Sequence, residues 1–144
     1  MQTDPIDKFE GIEFTELAGR QLDAIRVRNP SLFAQLAGAI RANLRTWSPG
    51  DEDKMITRHV KSISDECHHN VYRLKYEIHG LSERRWRVFF MFLGLRRPPV
   101  RLVLAVVDFI DQQQCYDDPS QAHRVEIRRA VSEAVDRGET KKKR

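Results

Sequence analysis

Residues 71–79 read Val71-Tyr72-Arg73-Leu74-Lys75-Tyr76-Glu77-Ile78-His79, an unbroken apolar/polar alternation. Successive side chains of a strand point to opposite faces, so Tyr72, Leu74, Tyr76 and Ile78 share one face. Arg73, Lys75, Glu77 and His79 share the other, and the pattern predicts a half-buried strand with a cationic outer side. Residues Gly80 to Arg84 turn the chain. Trp86 to Leu93 is apolar on both faces, as a central strand is. Gly94 to Pro99 makes the next turn, with the Arg96-Arg97 pair exposed on it, and Val100 to Phe109 is a third strand rich in Val and Leu. Three strands with two short connections predict an antiparallel meander.

Upstream the period changes. Leu32, Leu36, Ile40 and Leu44 recur every four residues, flanked by Phe33, Ala37 and Trp47, and form the strongest helical pattern in the chain. Asn29-Pro30 reads as the N-cap and first position of that helix, and Ser48-Pro49-Gly50-Asp51 ends it. A preceding helix carries Leu17, Leu22 and Ile25 on one stripe, with Thr15 as its N-cap and Glu16 in its first turn. The two make a helical hairpin. Gly11 to Phe14 alternates and predicts a brief edge strand. Residues 54–63 suit a helix or a strand equally, and Ser64 to Asn70 reads as a polar loop. After the meander, Asp118-Pro119 starts a last helix with Ile127, Ala130, Val131 and Ala134 facing inward. The fold class expected is α+β, with the N-terminal hairpin packed on one face of a small antiparallel sheet and a helix at the C-terminus. One domain accounts for the 144 residues, with a core over about residues 10–137 and a basic tail over 138–144.

Composition narrows the function. Hydrophobic residues are 40% of the chain, enough for a core, while 32% are charged, above the usual quarter. Two cysteines cannot make a disulfide framework, and a reducing compartment, the cytoplasm, is the simpler reading. Met1 to Pro5 has neither the basic flank nor the apolar run of a signal peptide. The longest apolar run, Val88 to Leu93, is far below the ~20 residues of a membrane helix. The net charge of +4 is unevenly spread: residues 70–101 carry eight basic and two acidic groups, while residues 102–120 carry four aspartates and no base. Such a block suggests a polyanionic partner, nucleic acid first among them.

Metal and nucleotide chemistries find little support. Asp65, Glu66, Cys67, His68 and His69 crowd one stretch with His59 nearby, but neighbouring side chains point apart, and no CxxC or HExxH is present. No GxSxG and no phosphate-binding glycine loop occurs. Cys115 and His123 are not joined into a dyad by any spacing rule. No metal and no cofactor is therefore expected. What remains is the strand bearing Arg73, Lys75 and His79 beside a strand bearing Arg85 and Arg87. A face with several cations matches a phosphate backbone. Tyr116 adds an aromatic platform for a base.

The order helix, helix, meander, helix resembles the RelE/ParE-type toxins of bacterial type II toxin–antitoxin modules. The matching segments are Asn70 to Tyr76, Arg85 to Phe90, and the strand Leu102 to Phe109 running on to Tyr116; the likeness spans about residues 10–135. It implies a metal-independent, ribosome-dependent mRNA endoribonuclease, held inactive by a cognate antitoxin protein and acting on mRNA in the ribosomal A site. Arg73, Lys75, Arg87 and Tyr116 match the catalytic positions of ribonuclease members, and Arg85, Arg96, Arg97 and His79 are expected to bind nucleic acid. Such members carry a further arginine before the tyrosine. Here Asp108 to Cys115 holds no basic residue, and His79, His123 or an ionised Asp108 are the candidates for acid or base. The alternatives are a ParE-like toxin that poisons DNA gyrase and a non-toxic RNA-binding protein of the same fold.

Overall fold

A computed structural model describes residues 9–52, 57–78, 84–108 and 122–141, the side chains at positions 77, 78, 84 and 85 excepted. The architecture is α+β. In chain order the elements are β1 (Ile12–Phe14), α1 (Glu16–Arg28), α2 (Pro30–Leu44), β2 (Thr57–His59), α3 (Lys61–Cys67), β3 (Tyr72–Ile78), β4 (Arg84–Leu93), β5 (Val100–Asp108) and α4 (Ala122–Asp136). The strands form one five-stranded sheet in the order β1-β5-β4-β3-β2. The meander β3-β4-β5 is antiparallel as expected. β1 adds a parallel edge beside β5, and β2 an antiparallel edge beside β3.

The expected helix signals act as read. Thr15 caps α1 by accepting the Ala18 N–H at 3.2 Å, and its own hydroxyl donates to the Leu104 carbonyl at 2.9 Å. One side chain thus starts the helix and ties it to β5. Asn29 caps α2 by accepting the Leu32 N–H at 3.1 Å, with Pro30 in the first turn. Just before β1, Gly11 adopts a φ of +72°, the left-handed region that glycine tolerates best. Its carbonyl accepts the Arg101 N–H at 2.8 Å and opens the β1–β5 pairing.

Two cores lie on the two sides of the sheet. On the first, the hairpin residues Leu22, Ile25, Leu36, Ile40 and Leu44 pack on Tyr72, Leu74, Trp86, Val88 and Phe90. Trp47 seals this side, edge-on to Tyr72 at 4.6 Å and to Phe90 at 4.8 Å. On the second, Ile63 of α3 and Ile127, Val131 and Ala134 of α4 cover Phe89, Met91, Leu93, Leu104 and Val107. The sequence reading put the helical hairpin on one face of the sheet and assigned the C-terminal helix to neither. The second layer exists because β4 and β5 are apolar on both sides, and an apolar face of a sheet must be buried.

Residues 61–67 correct a further expectation. The polar stretch from Ser64 is helical to Cys67 and stops where His68 takes a φ of +52°. Two polar residues of its inner side, Ser64 and Glu66, face partners within the protein, so no apolar stripe marks the helix. Ser64 is fully buried, its Oγ accepting the Val71 N–H at 2.8 Å and donating to the Val71 carbonyl at 3.2 Å. Glu66 pairs with Arg124 at 2.5 Å and also with Arg128, joining α3 to α4. The ambiguous stretch before it resolves into β2 followed by the start of α3.

Two outcomes follow for stability. Trp47 Nε1–H donates to the buried Thr57 Oγ1 at 3.0 Å. Thr57→Val keeps the shape but leaves that N–H unsatisfied, and should lower unfolding free energy by about 1–3 kcal/mol in urea titrations with unchanged m, while Thr57→Ser should cost less. The Arg124 side chain is only 4% exposed and Glu66 is 22% exposed. Glu66→Gln should therefore cost about 3 kcal/mol by the same measurement, because it removes a carboxylate charge that compensates a buried guanidinium, whereas the double change Glu66→Leu with Arg124→Met should recover most of that loss.

Candidate nucleic-acid interface

Register decides which charged side chains meet. In β3 and β4, Lys75 lies opposite Arg87 and Arg73 opposite Phe89. Directly paired residues of antiparallel strands share a face, so Arg73, Lys75 and Arg87 stand together on the side that also holds Phe89 and Val107. The β2–β3 pairing adds a residue that sequence reasoning missed: Arg58 lies opposite Arg73. Thr57 and His59, its neighbours, face the other way, where Thr57 bonds Trp47 and His59 meets the Tyr72 ring. Arg58 therefore shares the face of Arg73, Lys75 and Arg87.

The four cations differ in setting. Arg58 and Lys75 are exposed, Arg73 is half-buried, and Arg87 is 9% exposed. Arg87 Nη1–H donates to the Trp86 carbonyl at 3.2 Å, which fixes one edge of its guanidinium. Neither Arg58 nor Arg73 has a carboxylate at ion-pair distance among the described residues. Like charges placed directly opposite one another destabilise a sheet, so the Arg58–Arg73 pair carries a standing repulsion.

The remaining expected site residues fall elsewhere or outside the described residues. Arg96 and Arg97 sit on the β4–β5 hairpin, beyond the end of β4 at Leu93, which is itself six residues from Arg87, about 20 Å at strand rise. Arg96 pairs with Glu13 at 2.7 Å and with Glu139 at 3.8 Å, and the hydrogen bonds it donates to Glu13 hold its charge more firmly still. Arg97 is exposed and donates to the Gly94 carbonyl at 2.9 Å. Arg85 is opposite Glu77 in register, but its side chain lies outside the described residues. So do His79 and Tyr116; Tyr116 belongs to the stretch 109–121 that joins β5 to α4.

Asp108, considered above as a base beside the cations, is in register with Trp86. It therefore stands on the face covered by the helical hairpin, away from Arg87, and that role is withdrawn. The crowd of ligand types near Cys67 is dispersed in space. Asp65 pairs with Lys61 at 2.6 Å, Glu66 with two arginines, and His69 bonds Thr140 at 2.8 Å. Among the described residues no group of three His, Cys, Asp or Glu side chains is placed to hold a metal ion. Burial, reinforced by the Glu66 charge, pushes the Cys67 thiol up to about 11, so it is not a thiolate nucleophile near neutral pH. Among the described residues no helix is long and apolar enough to cross a membrane.

The arrangement offers fixed positive charge on a strand surface, with one guanidinium partly withdrawn from water. That suits contact with phosphodiester oxygens and stabilisation of added negative charge on them. No protein-family model, curated protein or solved structure was found to match the chain.

Proposed function

We propose that the chain is a RelE/ParE-type toxin of a type II toxin–antitoxin module, acting as a metal-independent endoribonuclease on mRNA in the ribosomal A site. The observation that carries this reading is the register that sets Lys75 opposite Arg87 with Arg73 on the same face. In the reaction the ribose 2′-oxygen attacks the adjacent phosphorus in line. The P–O5′ bond breaks, the 2′-OH proton is lost to a base, and the 5′-oxygen is protonated, leaving a 2′,3′-cyclic phosphate and a 5′-hydroxyl. Negative charge grows on the phosphorane oxygens. Arg87 is suited to them because its charge is fixed at any working pH and its fork reaches two oxygens at once. Its low exposure strengthens each such contact. Arg73 and Lys75 position the strand, and Tyr116 is assigned to stacking or proton transfer beside them. The toxin works in the cytoplasm, and its antitoxin supplies acidic or apolar side chains to the cationic face or the hairpin groove.

A second reading, a gyrase poison, draws on the absence of any basic residue from Asp108 to Cys115. Induced expression in bacteria with mapping of mRNA 5′ ends separates the two. Cleaved mRNA with replication continuing supports the nuclease; halted replication with intact mRNA supports the poison.

Arg87→Ala should abolish cleavage and growth arrest in a protein that still melts cooperatively, a loss on the order of a hundredfold or more in rate. Arg73→Ala and Lys75→Ala should give partial losses, and Arg45→Ala, at the end of α2, should leave cleavage unchanged. Unchanged cleavage by a folded Arg87→Ala protein would place the site elsewhere.

A further inference from the structure

We propose that Arg58 is a phosphate contact that carries single-stranded RNA from β4 across β3 to the edge strand β2. The inference rests on the reading of this face as an RNA site. Its own support is the β2–β3 pairing, which sets Arg58 directly opposite Arg73. Both guanidinium groups lack a carboxylate partner among the described residues, and Arg58 is exposed at the outer edge of the sheet. A structural role does not account for Arg58. It is exposed and sits where it repels Arg73. An anion shared between the two turns that repulsion into a site.

The dimensions suit a strand of nucleic acid. From Arg87 to Arg58 the path crosses two strand spacings of about 4.8 Å and two residues of rise, a diagonal of about 11–12 Å. At about 3.4 Å per nucleotide in a stacked strand, this covers about three nucleotides. The carboxylates on the neighbouring helix are already engaged. Asp65 pairs with Lys61, and Glu66 with Arg124 and Arg128. Neither carboxylate is paired with Arg58 or Arg73. Backbone contacts of this kind carry no base preference.

The test uses the full chain and a fluorescein-labelled twelve-nucleotide RNA with 2′-O-methyl riboses, which cannot be cleaved. Affinity is followed by anisotropy from 50 to 300 mM KCl. Arg58→Ala should weaken binding about tenfold at low salt. It should also reduce the slope of log K against log salt by about 0.7, the value for one single-strand phosphate contact. A-rich and U-rich RNA should be affected equally, and Arg58→Lys should restore the slope. Arg58→Glu should lose binding further while raising Tm by about 1–3 °C, because the repulsion from Arg73 becomes attraction. That opposed pair of effects is what a merely structural arginine would not give. If Arg58→Ala and Arg58→Glu bind as the wild type does while Arg73→Ala and Arg87→Ala bind weakly, the Arg58 inference falls and the RNA site stands. If Arg73→Ala and Arg87→Ala also bind normally, the face is not the RNA site and both readings fall. Binding that depends on Arg58 in a protein that never cuts mRNA sustains this inference and overturns the nuclease.

Discussion

The structure depends on β4 being buried from both sides. From Val88 to Leu93 the side chains alternate between the two cores, and all but Phe92 are essentially withdrawn from solvent. A strand of this kind must lie inside the sheet and must have a layer on each face. The hairpin α1–α2 supplies one layer. The second is assembled from two shorter pieces, α3 and α4, held to each other by Glu66 between Arg124 and Arg128. β5, paired to β4 over most of its length, continues the same two-sided burial. The cations of the candidate site lie where this construction ends. Arg87 is the first position on the second face before Phe89, and Arg73, Lys75 and Arg58 extend outward from it toward the β2 edge.

Charge is handled in two ways in the same molecule. The arginines that join elements have carboxylate partners: Arg20 reaches Glu126 from α1 to α4, Arg96 reaches Glu13 and Glu139, and Arg124 and Arg128 reach Glu66. Arg58 and Arg73 are set against each other across two strands. A protein with this many carboxylates had the means to neutralise that pair. In the function proposed above, the negative charge comes from the ligand, and a phosphodiester chain brings one at each step.

The meander, the hairpin and both of its caps were legible because each rests on local pattern. Alternation over β3, the four-residue spacing of Leu32 to Leu44, and Thr15 and Asn29 at helix starts are all sequence-near signals. The second helical layer was only half legible. α4 announced itself through Ile127, Val131 and Ala134, but α3 has Ile63 as its single buried apolar residue, the rest of its inner side being Ser64 and Glu66 with buried or ionic partners. Polar residues satisfied inside a protein read like loop residues in a sequence. β2 has three residues, too few to establish a period, and so Arg58 could not be assigned to a face. Arg73, Lys75 and Arg87 were brought together correctly by alternation and antiparallel pairing. Arg96 and Arg97 were read onto the Gly94–Pro99 turn, which is where the β4–β5 connection lies.

The placement of Asp108 shows how strongly a single irregularity governs the site. Counting alternately from Leu102, which faces α4, would put Asp108 on that same face, beside Arg87. The register shifts at Phe89/Phe90, where Phe89 pairs with Ala105 but Phe90 pairs with Val103. Leu104 is the extra residue of a bulge, and both Leu104 and Ala105 face the α3–α4 core. The phase of β5 is thereby reversed. Val107 comes to lie opposite Arg87, and Asp108 passes to the side of Trp86. Had the register of Phe90 with Val103 run on unbroken, Asp108 would lie opposite Arg85, on the face of Arg87. The bulge is anchored by the Thr15 hydroxyl, which donates to the Leu104 carbonyl while capping α1. The bulge that decides which face Asp108 takes is thus bonded to the cap of the first helix, 72 residues away in the chain from Arg87.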